Sequence, residues 1–199
     1  MRFKLNNTEI FISFSFLVVL LIIISLKNAR FVLYALVFSL LHETGHLFFI
    51  KLFSAEVSAF NLTAFGAEII KRSDLKINYI KEAAICFAGP AVNLIFFTLF
   101  TLINKYNYSA VLETISYLNL SVALFNLLPF YCFDGGMILN CFLSLFFGKN
   151  SADKILLVFS YITAIPLIIL SFMLLIRSRT SFAPCIASIY MMLTLIFKK

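Results

Sequence analysis

At 199 residues, the chain is 62% hydrophobic and only 13% charged, against about 25% charged for an ordinary soluble domain. Apolar runs near the roughly 20 residues that cross a bilayer recur along it, which excludes a soluble globular fold and points to a polytopic integral membrane protein. The net charge of +7 then reads as lysine and arginine anchoring loops on one face of a lipid bilayer, and no nucleic-acid partner is expected.

Taken in order, residues 1–8 are polar, with Arg2 and Lys4, and Ile10 to Leu26 forms a first span. It lacks a small-residue cleavage site, and a second apolar run follows after only Lys27 to Arg30, so it reads as a retained anchor. The second span, about Phe31 to Phe53, holds His42-Glu43-Thr44-Gly45-His46 in its later half. Those are the only two histidines in the chain. Helix positions four apart share a face, so both imidazoles reach one metal ion, and Glu43 is placed to act as general base without ligating. A carboxylate at membrane depth costs roughly 2.5–3.5 kcal/mol on insertion scales, so its presence there points to function over chance.

Val57 to Leu62 and Gly66 to Ile70 are β-compatible stretches and suggest a small membrane-associated hairpin after the second span. Lys81 to Ile103 is the third span, with Gly89 and Pro90 expected to interrupt or kink it, or Gly89 to serve close helix packing. Its Asn93 is expected to face protein, since an unpaired amide in hydrocarbon is costly. Ser109 to Leu128 is the fourth span and runs into Asn126-x-x-Pro129-x-x-x-x-Asp134-Gly135-Gly136. The stretch Met137 to Phe147 is too short to cross alone and reads as the continuation of a broken helix. Ser151 is expected to cap a fifth span that runs to Ile176 through Pro166, and Phe182 to Phe197 is the sixth. Cys86, Cys132, Cys141 and Cys185 show no paired spacing and read as small buried hydrophobes.

The expected fold class is therefore an all-α polytopic membrane protein of about six transmembrane helices plus one hairpin, forming a single domain over 1–199 with no appended soluble domain. With six crossings, 11 Lys and Arg fall on the amino-terminal side and 5 on the other. Both termini are then cytoplasmic, and the later end of the HETGH helix and the Asp134 loop lie on that side.

Two histidines and a water leave a tetrahedral zinc one protein ligand short. Of the nine acidic residues, Glu9, Glu56, Asp74, Glu82 and Asp153 lie at or beyond span ends, and Glu113 falls on the far side. Glu68, in the hairpin, stays in contention. Asp134, in an apolar segment broken by Pro129 and the glycine pair, is the best third ligand, and Cys132 beside it is chemically able to ligate.

HETGH, Phe65-Gly66, Ala88-Gly89-Pro90-x-x-Asn93 and the Asn126 to Gly136 run together resemble the site-2 protease family of intramembrane zinc metalloproteases. From Asn119-Leu120-Ser121 to Gly136, the chain is most similar to the branch that processes sporulation sigma-factor precursors in endospore-forming bacteria. The resemblance implies His42, His46 and Asp134 as ligands to one Zn2+, Glu43 as catalytic base and Asn126 as a residue holding substrate. Asn93 is a second substrate-binding candidate. It implies further a membrane-associated protein substrate, a regulatory membrane protein as partner, and a bacterial cell membrane as location. Two departures stand out: Cys132 replaces a proline usual in that branch, and the branch's carboxy-terminal nucleotide-sensing domain has no counterpart before Lys199. Two other readings fit the same residues, a catalytically silent metal-binding homologue that holds a client and a metal transporter. An intact Glu43 disfavours both.

Overall fold

In hydrocarbon every backbone N–H and C=O must be satisfied within the segment or by a neighbour, and the apolar runs of this chain do so as helices. The computed structural model describes residues 2–5, 8–12, 29–53, 57–63, 66–71, 78–178, 188–189 and 191–195. Among these are helices α1 (Ala29–Leu52), α2 (Tyr79–Tyr106), α3 (Ala110–Asn126), α4 (Asp134–Phe147) and α5 (Lys149–Ser178). Three of them, α1, α2 and α5, are long and apolar enough to cross a membrane, while α3 and α4 are shorter. The described parts of 188–195 are also helical.

The second, third and fifth expected spans thus correspond to α1, α2 and α5. The first span falls outside the described residues beyond Ile12, and so does most of the sixth. Backbone pairing joins strands β1 (Arg2–Leu5), β2 (Thr8–Ile12), β3 (Val57–Thr63) and β4 (Gly66–Lys71) in that order. β3 and β4 pair antiparallel, where the hairpin was expected. The polar start of the chain enters the same sheet, with β2 parallel to β3. Residues 1–8, read from the sequence as a simple polar lead-in, carry too few apolar residues to announce that pairing.

Two compact units divide the chain, Met1–Phe125 and Asn126–Lys199. In the first, α1 lies close against α2. The approach depends on Gly45, where a Cβ would fall 2.6 Å from the Ala88 carbonyl oxygen and 2.8 Å from Val92 Cγ2. Small residues at a membrane helix interface gain van der Waals contact where lipid supplies no hydrophobic drive. Phe38 of α1 extends the seam, packing edge-on to Phe96 and Phe100 with ring centroids 5.7 Å away in both cases. At the far end, Lys81 sits over the Phe53 ring at 5.7 Å, a cation–π contact of about 0.5–1 kcal/mol at an exposed site. Polar pairs tie α3 to α2: Thr101 and Ser116 hydroxyls meet at 2.6 Å, and Ser116 Oγ donates to the Phe97 carbonyl. Large apolar side chains such as Phe48, Ile95, Leu99 and Leu102 are exposed, as lipid-facing surface requires.

Helix α2 does not break at Gly89 and Pro90. It runs through both as one helix of 28 residues. Pro90 removes one backbone donor, a loss that the continuing ladder on either side absorbs, so the expected interruption is corrected.

In the second unit, Phe130, Ala164, Met191 and Leu195 form a buried cluster, with Tyr131, Phe133 and Leu157 packed against it. Helices α4 and α5 are joined by Gly148 at φ 75°, a left-handed conformation that glycine adopts without steric cost. The turn there starts α5 at Lys149, and Ala152 N–H donates to the Gly148 carbonyl. Ser151, expected as the cap, is instead the third residue of the helix.

Candidate metal centre

Helix periodicity puts His42 and His46 one turn apart on α1, and both are buried, 4% and 8% exposed. Their Nε2 atoms converge to 3.2 Å. What each ring does with its other nitrogen decides what that convergence means. His46 Nδ1 is 2.8 Å from the carbonyl oxygen of Ile85, which can only accept. Nδ1 therefore carries the proton, and in the neutral ring Nε2 is the lone-pair nitrogen.

The same conclusion for His42 runs through Asn93. The Asn93 amide nitrogen donates to the Phe38 carbonyl at 3.3 Å and to Asn119 Oδ1 at 3.0 Å. A backbone carbonyl cannot donate, so that orientation of the amide is forced and Oδ1 faces His42 Nδ1, 2.7 Å away. His42 Nδ1–H donates to it, and the His42 Nε2 lone pair also points inward. Two neutral imidazole lone pairs that converge in this way suit a shared electron-poor centre. Zinc with two nitrogens at 2.0–2.1 Å in a tetrahedral set would hold them about 3.3 Å apart, close to the separation here.

Space for the pair comes from α2. A Cβ on Gly89 would collide with His46 Nε2, and would stand 2.6 Å from His42 Nε2. Only a residue without a side chain leaves the imidazole tips room. Gly89, read from sequence as a kink or a packing residue, is part of the metal cradle, and nothing in the sequence distinguished those roles.

The third donor is built in the second unit by backbone folding. Asp134 opens α4, with Phe133 at the cap position. The segment between Asn126 and Asp134 folds back on itself: Phe130 N–H donates to the Leu128 carbonyl at 2.7 Å, and Phe133 N–H to the Phe130 carbonyl at 2.9 Å. A Cβ on Gly135 would strike the backbone of Leu127, and one on Gly136 the carbonyl of Phe130. The two glycines are thus what lets the loop lie against the start of α4. Side chains from α5 hold the loop down, Ser160 Oγ accepting from Tyr131 N–H at 3.0 Å. Tyr131 also donates its phenol hydroxyl to the Thr194 carbonyl at 2.9 Å.

One ligand atom from each of His42, His46 and Asp134 lies within 4.8 Å of the others. Among the described residues, this is the group of histidine, cysteine and acidic side chains able to hold a metal ion. Two neutral nitrogens and one carboxylate oxygen are the protein donor set of a catalytic zinc site. Glu43 is half-buried beside His42, and Asn126 closes α3 half-buried. Cys132 is exposed, while Cys86 and Cys141 are buried. The expectation of burial thus fails for Cys132, whose place on the turn before α4 leaves it uncovered. The side chain of Glu68 lies outside the described residues.

Residues 102–170 match the model of peptidase family M50. A zinc metalloprotease of Methanocaldococcus jannaschii is 32% identical over 165 residues, 77% of this chain and 48% of that protein, so the chain spans about half of its relative's length. In fold, the chain is similar to the solved structure of the site-2 protease from Methanocaldococcus jannaschii. The TM-score is 0.71 at 24% identity, over 96% of this chain and 91% of that one.

Proposed function

On the premise of peptidase family M50, the site-2 protease family, which the matched segment and the curated relative support, we propose that this multi-pass membrane chain is a zinc-dependent endopeptidase. It hydrolyses a peptide bond in or near the membrane-embedded part of another membrane protein. The observation that carries the reading is the convergence of two imidazole nitrogens and one carboxylate, with a second carboxylate, Glu43, following the first histidine in the helix.

His42, His46 and Asp134 would hold one Zn2+. When bound, zinc polarises a peptide carbonyl as a Lewis acid and makes water acidic enough to ionise near neutral pH. Glu43 takes a proton from the attacking water and returns it to the leaving amine, which is general base and then general acid catalysis by one group. Asn126 donates hydrogen bonds to substrate backbone or to the developing oxyanion. For Asn93 the proposed part shifts from substrate to ligand, because both its N–H bonds are directed to Phe38 and Asn119.

A helical substrate hides its carbonyls in internal hydrogen bonds and must unwind before attack. Adding the unwound segment as a strand would hold it extended. In the sheet order β1-β2-β3-β4, β3 is flanked on both sides, so the hairpin offers the outer edge of β4. Proline substitutions along 66–71 that leave cleavage unchanged would discard that route.

The resemblance of the Asn119 to Gly136 run extends the reading to a membrane-associated transcription-factor precursor, with a regulatory membrane protein gating access and both termini cytoplasmic. Coexpression of the Glu43→Gln variant with a candidate substrate tests the class of activity. Zinc retained with cleavage abolished is the expected result. Unchanged function with zinc bound would favour a client-binding or metal-carrying role.

A further inference from the structure

Asn119 reaches the metal centre through a relay of directed hydrogen bonds. It lies on α3, 26 residues beyond Asn93, and both amides are fully buried at 0% exposure. Burying an amide in a membrane protein is costly unless every donor and acceptor is met. Here the bonds run one way. Asn119 Nδ2 donates to the Ile115 carbonyl at 2.9 Å, which leaves its Oδ1 turned toward Asn93. Asn93 Nδ2 donates to that oxygen, Asn93 Oδ1 accepts from His42 Nδ1, and His42 Nε2 faces the metal position.

Each end of the relay is pinned by a backbone carbonyl, Phe38 at one amide and Ile115 at the other. Neither carbonyl can reverse its role, so neither amide can flip without facing oxygen to oxygen. Were Asn93 to flip, its NH2 would face His42 Nδ1. That nitrogen would then have to accept, which moves the ring proton to Nε2 and removes the lone pair that a metal needs.

We propose that Asn119 is a positioning residue for the metal: acting through Asn93, it locks His42 in the tautomer whose Nε2 is free to ligate. His46 obtains the same tautomer directly from the Ile85 carbonyl. The two ligands therefore differ in what fixes them, one a backbone group and one a two-amide relay that substitution can cut. The proposal rests on the zinc reading above.

The test compares three variants of the purified chain in detergent, by zinc affinity in competition with a chelator and by melting of the metal-free protein. Asn119→Leu keeps the volume and removes the acceptor. Asn119→Asp keeps an acceptor toward Asn93, and in its neutral acid form also a donor toward Ile115. Ser116→Ala removes a buried hydroxyl from the same helix, one that bonds to Thr101 and Phe97 outside the relay. Loss of an outer partner of a ligating histidine costs about 10–100-fold in metal affinity, so Asn119→Leu is expected to weaken zinc by at least about 10-fold. Asn119→Asp should restore affinity to near that of the unaltered chain, with Ser116→Ala unchanged in affinity. Undiminished affinity in Asn119→Leu overturns the proposal, and so does an equal loss in Ser116→Ala or in Asn119→Asp. If Asn119→Leu does not fold, Asn119→Ala takes its place and is judged by the same criteria. An unaltered chain that binds no zinc would fail the underlying reading and would be seen before any variant is compared.

Discussion

The two histidines and the aspartate are held in place by opposite means. His42 and His46 sit mid-helix, spaced by the helical repeat and oriented by buried acceptors, Asn93 Oδ1 and the Ile85 carbonyl. Asp134 sits at a helix start, oriented by a loop that doubles back so tightly that Gly135 and Gly136 touch its backbone. In the first case a regular element carries the ligands and side chains fine-tune them. In the second the backbone itself is shaped to deliver one carboxylate. Each half is vulnerable in its own way: the histidine half to anything that fills or reorients the imidazole space, the aspartate half to anything that forces the loop open.

Gly89→Ala breaks the first half most sharply. Alanine improves helix propensity by up to about 1 kcal/mol over glycine, yet its Cβ would fall on the imidazole tips. Zinc affinity is expected to drop by more than the roughly 100-fold upper range for outer partners of a ligand, with the melting temperature of the metal-free chain unchanged or raised. Chelator competition and thermal melting, run side by side, check this. A normal zinc affinity would show that the imidazoles do not depend on the gap.

Gly135→Ala is the matched lesion in the second half. Its Cβ meets backbone, which yields less readily than a side chain, so stability and zinc should both fall. Overpacking of this kind costs about 1–3 kcal/mol, and lowered melting of the metal-free protein would report it. If Gly135→Ala lost zinc without losing stability, the two halves would not differ as described.

Smaller effects follow where single hydrogen bonds are removed. Tyr131→Phe deletes the phenol bond to the Thr194 carbonyl and should cost about 1 kcal/mol, seen as a modest fall in melting temperature. Thr101→Val removes a hydroxyl shared between α2 and α3. Such interhelical bonds average about 0.6 kcal/mol in membranes, so a barely measurable shift and unchanged zinc affinity are expected.

The same contrast explains what the sequence could disclose. The i, i+4 spacing of the histidines, the carboxylate between them and the apolar run around them are local, so the first half was legible from residues 31–53 alone. Asp134 was legible by elimination among nine acidic residues and by the Pro-Gly-Gly break. The shape of the loop was not, because it depends on backbone contacts with Leu127 and Phe130. Asn119 carried no signal beyond its place in a family-like run, since a buried asparagine becomes informative only when its partners are known. Gly89 was ambiguous for a related reason: a glycine beside a proline reads as a kink or as a packing residue, and its purpose here is set by a neighbouring helix. Polar residues 1–8 gave no hint of the strands they contribute.

X-ray absorption at the zinc edge of the purified chain examines the central claim most directly. One zinc per chain is expected, bound only by nitrogen and oxygen, with scattering from two imidazole rings, and loss of an oxygen ligand or of the metal in Asp134→Ala. A sulfur shell at about 2.3 Å, scattering from fewer than two imidazoles, or a zinc site untouched by the Asp134 substitution would contradict it.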